Sequence, residues 1–271
     1  MTGFSASDAA LEGFNLIRRR WRVVLGWAGF NLLVLVMMVV LTVVTGLVAA
    51  ATGAGAQTPA VIAMGLVAAL CTLALQAILM GGVFRLEMRP EEPAFLHLRL
   101  GRDELRLVVV WLITITGAWV VGWLAALAVK VLHVPGLLTG PVVLVAIIYL
   151  AVRFSLAAPV AFAERRIDFP RSWRLTRGAT FALLGMNALS FCLIALLMIV
   201  VLLVLTLIAA GAAGLEGVAG LFGGRTALQS HPGLYLLEFA VEIVLTPVLW
   251  ILGLAPNIAA YRALAGEPTR A

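Results

Sequence analysis

The sequence predicts an all-α integral membrane protein with six transmembrane helices. The chain has 271 residues, of which 63% are hydrophobic and only 12% charged, and its mean hydropathy is +1.11. A soluble domain carries about a quarter charged residues, so lipid is the only solvent that can accept this much apolar surface. Six apolar segments each exceed the about 20 residues that span the hydrocarbon. We expect a single membrane domain over 1–271, with spans near 23–51, 59–84, 105–129, 137–163, 179–211 and 234–263.

The positions of the basic residues predict the orientation of these spans. Of the 19 basic residues, 17 fall before the first span, after an even-numbered span or close to its end. Only Lys130 and Arg225 fall on the other side. By the positive-inside rule both termini are cytoplasmic, and the arginine bias is typical of a GC-rich bacterium, which points to the bacterial inner membrane. The same rule accounts for the pI near 10.3, so we predict no nucleic-acid partner.

The three connections on the outer side are short or rich in small residues. Residues 52–58 and 130–140 read as turns. The third connection, 211–233, has a glycine at every third position from Gly211 to Gly223. This pattern predicts a flexible loop, with a helical face of small residues as the alternative.

The cytoplasmic segments show an internal repeat. An aromatic residue precedes an arginine by four positions in Phe14–Arg18, Phe95–Arg99 and Trp173–Arg177, and a long apolar span follows each copy. This spacing favours three helical hairpins, each preceded by a cytoplasmic interfacial helix and related by an axis along the membrane normal. Chance similarity between low-complexity spans is the alternative.

Two interfacial helices are predicted, over 4–20 and 168–178. In the second, Asp168 suits a helix cap, Pro170 suits a first turn and Gly178 can end the helix. Its arginines share one sector beside an aromatic edge, so we expect them to bind anionic lipid headgroups. The candidate headgroup residues are Arg171, Trp173, Arg174 and Arg177, and the apolar positions of the first helix are Phe4, Leu11, Phe14 and Ile17.

Two stretches of this region also carry a family resemblance. RFSLAAP at 153–159 and SWRLTRG at 172–178 resemble the membrane domain that precedes the catalytic domain in bacterial glycerophosphoryl diester phosphodiesterases. The same domain also forms standalone integral membrane proteins, for which the resemblance implies a multi-helix module and no established activity. The 271 residues contain no soluble phosphodiesterase domain with its metal-binding His and Glu residues, so the resemblance does not imply that activity.

Catalytic chemistry is not apparent in the sequence. The three histidines, His97, His133 and His231, lie in three different connections, and both cysteines lie within apolar runs. The sequence contains no GxSxG, HExxH or phosphate-binding GxxxxGK[ST] motif. We therefore predict no enzymatic activity, no cofactor and no metal site.

Polar residues within spans are the remaining candidates, because an intramembrane ionisable group is a functional hypothesis by default. Arg153 lies about 18 Å along its helix from Arg165, and we hypothesise that it faces a polar crevice lined by Asn187 and Ser190. The alternative is an interfacial arginine beside a helix broken at Pro159. Glu242 is expected close to the outer interface, with Glu238 beyond it.

These observations favour a non-enzymatic membrane module, as a scaffold, accessory or lipid-interacting protein. Its expected partners are anionic membrane lipids and a membrane protein. The alternative is a transporter or channel for an anionic lipid or small solute, which the repeat and Arg153 favour. Polar residues converging on a central cavity would favour the transporter, and an apolar centre would favour the module.

Overall fold

The computed structural model describes residues 5–52, 58–92, 95–132, 136–222 and 231–266. Within these ranges the chain is mostly helical and contains no β-strand. The helices are α1 (Ala6–Arg19), α2 (Trp21–Thr52), α3 (Pro59–Met88), α4 (Arg102–Leu132), α5 (Gly136–Phe154), α6 (Ala157–Ala163), α7 (Phe169–Thr176), α8 (Thr180–Phe222) and α9 (Pro232–Ala265).

Six stretches of helix are long and apolar enough to cross a membrane, which confirms the predicted fold class. They are α2, α3, α4, the α5–α6 pair, α8 and α9. Large apolar side chains stay exposed along them, including Trp119 at 75% and Phe191 at 71%. Apolar surface on this scale is stable only against hydrocarbon, and helices satisfy their own backbone hydrogen bonds there. The protein is a multi-pass α-helical membrane protein.

The fourth span is interrupted at Ser155 and Leu156, between α5 and α6. Pro159 explains the break, because in a continuous helix its nitrogen would have to bond to the carbonyl of Ser155, and proline has no N–H. The Ser155 hydroxyl donates to the carbonyl of Val152 at 2.8 Å. The single helix predicted over 137–163 is therefore two helices, and the interruption begins four residues before Pro159 itself.

Two of the three connections predicted on the outer side are partly helical, and most of the first, residues 53–57, lies outside the described residues. The flexible loop predicted over 211–233 is wrong for 211–222, which continue α8, and 223–230 lie outside the described residues. Most of the turn predicted over 130–140 is also helical, apart from 133–135, which lie outside the described residues.

Two glycines lie at a kink near the end of α8, where the backbone locally leaves helical φ/ψ. The helix bends at Ala213 and Gly214, where Gly214 takes a φ of +60° that residues with a side chain rarely adopt. Beyond the bend, Gly217 approaches Ala209 so closely that a Cβ on Gly217 would lie 2.5 Å from the Ala209 carbonyl oxygen. The glycines thus permit a bend and a close contact between helical segments, which is the small-residue alternative considered for this region.

The segments predicted to be cytoplasmic differ from one another. Helices α1 and α7 occupy the regions predicted as interfacial helices over 4–20 and 168–178, with Phe4 outside the described residues. Before α4, the chain instead makes a single 3₁₀ turn over Phe95–His97, whose last two residues have φ of 53° and 61°. The second copy of the repeat therefore lacks an interfacial α-helix.

The chain forms two compact units. Unit 1 comprises Met1–Gly13, Leu73–Ala188 and Gly253–Ala271, and unit 2 comprises Phe14–Thr72 and Leu189–Leu252. The core of unit 1 joins residues of α1, α5, α6, α8 and α9: Ala9, Ala10, Val152, Leu156, Val160, Leu183, Met186, Ala260 and Tyr261.

Unit 2 is tied together by a polar contact between two spans. The side-chain amide of Asn31 on α2 donates to the carbonyl of Ile243 on α9 at 3.2 Å. The small cluster formed by Ala209 and Leu234 joins α8 to α9. Asn31 therefore bonds between helices, as expected for an amide within a span.

Helices α3 and α4 meet where Gly81 faces Glu104. A Cβ on Gly81 would lie 2.6 Å from Oε1 and 2.8 Å from Cγ of Glu104, whose side chain is fully buried. The absence of a side chain at Gly81 therefore gives Glu104 its place against α3. Gly65, on the same helix, has open space where a Cβ would be added.

Gly81→Ala should lower the free energy of unfolding by about 1–3 kcal/mol, because the buried Glu104 must move. Gly65→Ala should leave stability unchanged or raise it slightly, since alanine favours helix by about 1 kcal/mol over glycine. Unfolding of both variants in mixed micelles measures the difference. Equal stability of the two variants would contradict the packing described here.

Candidate functional site

Arg153, one residue before the end of α5, lies between aromatic rings. Its side chain is buried, and its guanidinium carbon is 5.0 Å from the ring centroids of both Tyr149 and Trp173. Tyr149 and Trp173 also meet edge to face at 5.9 Å. Two of the arginine nitrogens, Nε and Nη1, have no hydrogen-bond acceptor among the described residues. The aromatic faces thus stabilise the buried charge, an interaction worth about 2 kcal/mol when desolvated.

The same residue anchors α7 through its backbone. The hydroxyl of Ser172, which is fully buried, donates to the carbonyl of Arg153 at 2.9 Å. The buried hydroxyl of Thr176 lies 3.5 Å from the same carbonyl and 3.1 Å from the carbonyls of Ser172 and Trp173 on its own helix. The Arg153 carbonyl can accept the Ser172 hydroxyl because the break after α5 leaves the last carbonyls of the helix without their helical N–H partners. Helix α7 is therefore docked onto the end of α5 by the hydroxyl of Ser172 and the indole of Trp173.

The start of α7 is built as the sequence predicts. The carboxylate of Asp168 accepts the backbone N–H of Arg171 at 2.8 Å, and Pro170 lies in the first turn. Phe169 packs edge to face on Phe154 of α5, with ring centroids 5.6 Å apart. A capped start and an aromatic contact thus orient this short helix.

The four predicted headgroup residues have different surroundings. Trp173 is half-buried against Arg153, and the guanidinium of Arg171 pairs with Glu164 at 3.2 Å. Arg174 and Arg177 are exposed, and their guanidinium groups pair with no carboxylate among the described residues. Arg174 on α7 and Arg177, the residue that follows α7, are therefore available to a ligand.

The polar residues predicted within the spans each have different local surroundings. The amide of Asn187 donates to the carbonyl of Leu183 on its own helix at 2.8 Å. The hydroxyl of Ser190 is buried and has no partner among the described residues. Glu242 is exposed, and its expected position near the outer interface stays a prediction. A crevice joining Asn187 and Ser190 to Arg153 stays a prediction.

A buried ion pair, which we did not predict, links α3 to α4. Arg85 and Glu104 are each 1% exposed, and their side chains are in direct contact. A second nitrogen of Arg85 donates to the carbonyl of His97 at 2.6 Å, so the turn between the helices is held as well. Removing either charge would leave the other buried without its partner.

Arg89, the residue that follows α3, reaches two other elements. It pairs with Asp103 at the start of α4 at 3.1 Å, and it donates to the carbonyl of Phe162 on α6 at 2.6 Å. Its guanidinium also lies 4.6 Å from the centroid of the Phe162 ring. A cation at the carbonyl end of a helix is favourable, so Arg89 links α3, α4 and α6.

A third pair joins the last helix to α3, where Arg262 contacts the carboxylate of Glu87 at 2.9 Å. From the sequence alone these arginines are only orientation signals, and their carboxylate partners have no predicted role. The sequence does contain a signal for two of these pairs. Arg85 and Arg89 lie one turn apart at the end of the second span, and the adjacent acids Asp103 and Glu104 lie at the start of the third. We call these side chains the charge network: Arg85, Glu87, Arg89, Asp103, Glu104 and Arg262.

Comparison with known proteins does not add to this geometry. No family model matches the chain, and neither the curated proteins nor the solved structures contain a significant match. Within the ranges that the structure describes, no group of three or more His, Cys, Asp or Glu side chains is placed to hold a metal ion.

Arg153→Leu should lower the free energy of unfolding by about 2 kcal/mol, because Trp173 loses the cation that holds it. Arg166→Leu, at a side chain 64% exposed, is the matched control and should stay within about 0.5 kcal/mol of the wild type. Unfolding in mixed micelles measures both variants. Wild-type stability of Arg153→Leu would mean that this arginine is only an interfacial anchor.

Proposed function

We propose that the protein is a non-enzymatic module of the bacterial inner membrane that binds anionic lipid headgroups at its cytoplasmic face, with both termini cytoplasmic. The observation that carries this proposal is the pair of exposed, unpaired arginines, Arg174 and Arg177, on a helix docked onto a membrane span. We further propose that α7 lies in the membrane interface with these two side chains directed toward the headgroups.

The docking of α7 supports binding because it fixes where the charges lie. The contacts of Ser172 and Trp173 to Arg153 hold the helix before any lipid arrives. Little conformational entropy of the helix is then lost on binding, and each arginine near an anionic surface contributes roughly 1 kcal/mol. A flexible basic segment would lose part of this gain on ordering.

The family resemblance supports the same site, and we propose that the chain belongs to the membrane-domain family of glycerophosphoryl diester phosphodiesterases. The resemblance lies in 153–159 and 172–178, and these residues include the arginine, the proline and the Ser172 hydroxyl that dock α7. A docked interfacial helix would then be a shared device of such domains. A membrane-protein partner could use the same face.

The transporter alternative requires polar span residues that line a path. The amides of Asn31 and Asn187 are instead bonded to backbone carbonyls, which supports packing roles for them. The proposal of a lipid-binding module therefore takes precedence over that of a transporter.

Replacing both Arg174 and Arg177 with glutamine should reduce the preference of the reconstituted protein for anionic over zwitterionic lipid. The matched control replaces Arg166 and Arg171, which already pair with Glu164, so both double variants lose two positive charges. Spin-labelled phosphatidylglycerol and phosphatidylcholine report the preference at low and high salt.

We expect a reduction of about thirtyfold in the first variant, from roughly 1 kcal/mol for each of its two arginines, and a smaller reduction in the control. Added salt should weaken the wild-type preference. Equal losses in the two variants would show that lipid responds to net charge alone and would contradict a specific site on α7.

A further inference from the structure

A polar cavity of about 540 Å³ opens within unit 1, beside the charge network. Its walls come from the end of α3, the connection to α4, the first turn of α4 and Arg165. Five arginines and three carboxylates line it. This cavity is separate from the arginines of α7, so the inference below does not depend on the proposed function.

The three carboxylates are already committed to arginines of the protein. Glu104 pairs with Arg85, and Asp103 pairs with Arg106 and with Arg89. Glu92 lies 3.4 Å from Arg165 and 3.6 Å from Arg85. The acids therefore neutralise part of the arginine charge and hold the walls in place.

Two arginines of the cavity have no counter-ion. The guanidinium groups of Arg99 and Arg102 make no ion pair or hydrogen bond with any residue that the structure describes, and both side chains are exposed. Five positive and three negative charges line the cavity, so it carries a surplus of two positive charges. A dianion would neutralise that surplus.

Two residues that line the cavity carry buried polar atoms without hydrogen-bond partners among the described residues. They are Nε of Arg85, which lies 3.6 Å from Oε2 of Glu92, and Oε2 of Glu104. One is a donor and the other an acceptor, and each unsatisfied group costs free energy. A ligand that can both accept and donate hydrogen bonds would satisfy them.

The backbone around the cavity is held in an uncommon conformation. Leu96 and His97, which precede Arg99, have positive φ angles of 53° and 61°. Arg165, which lines the cavity, has a φ of 54°. Non-glycine residues adopt this region at a cost, and such residues concentrate at binding sites. The hydrogen bond from Arg85 to the His97 carbonyl keeps the turn in this form.

We propose that this cavity binds a phosphate group of the monoester class, as inorganic phosphate or as a phosphomonoester headgroup. Hydrogen phosphate carries two negative charges and a hydroxyl, and a phosphomonoester can carry two charges or a hydroxyl near neutral pH. Arg99 and Arg102 would donate to its oxygens, and its hydroxyl would donate to Oε2 of Glu104. A phosphodiester has one charge and no hydroxyl on phosphorus, so it fits less well.

The experiment uses the full chain in phosphatidylcholine nanodiscs. Inorganic phosphate is titrated against sulfate at equal ionic strength, and phosphatidic acid is compared with phosphatidylglycerol at equal mole fraction by native mass spectrometry. The variant is Arg99→Gln/Arg102→Gln, whose side chains are exposed and unpaired, so folding should survive. Arg174→Gln/Arg177→Gln has the same loss of charge and is the control.

We expect wild type and control to bind inorganic phosphate more tightly than sulfate, or to retain phosphatidic acid over phosphatidylglycerol. The first result identifies a soluble phosphate as the source and the second a lipid headgroup. Arg99→Gln/Arg102→Gln should weaken that binding at least about tenfold, since each arginine lost removes a charge-assisted hydrogen bond.

Equal binding of phosphate and sulfate without selection of phosphatidic acid, or equal losses in the two double variants, would overturn the proposal. Loss of phosphatidylglycerol preference only in the α7 variant would concern the proposed function alone.

Discussion

The contact between Arg85 and Glu104 is the interaction on which the rest of unit 1 depends. It lies fully buried between α3 and α4, and Gly81 leaves the space that the carboxylate occupies. The same arginine holds the His97 carbonyl, and so it determines the turn from which the cavity arginines project. A charge pair this deep is stable only with both partners present, so the helix ends and the turn are coupled.

Arginines serve two different purposes in this protein, and their partners separate the two. Arg85, Arg89 and Arg262 each bond to a neighbouring helix or turn, while Arg153 is buried under the rings of Tyr149 and Trp173. These arginines hold the elements together. The exposed, unpaired arginines lie on elements that the first group fixes, at the cavity and on α7: Arg99, Arg102, Arg174 and Arg177. The charges exposed to a ligand are those of the second group, because the first group is buried or bonded to neighbouring elements.

Hydropathy predicted the spans well because crossing a bilayer depends on local length and composition. It could not predict that Arg153 meets Trp173, since that contact requires the break at 155–156 and the return of the chain through α7. The glycine spacing at 211–222 was misinterpreted as a loop because glycine also permits close packing, and only the approach to Ala209 decides between the two. The charge network was missed for a similar reason, as Arg262 and Glu87 lie far apart in the sequence.

A double-mutant cycle on Arg85 and Glu104 tests the central claim most directly. Unfolding in mixed micelles would be measured for Arg85→Met, Glu104→Leu and the double variant. If the pair is buried and mutually dependent, each single change should cost about 3–5 kcal/mol, because it leaves the partner charge buried alone. The double variant should then be more stable than either single variant. Additive losses, with the double variant the least stable of the three, would contradict the account.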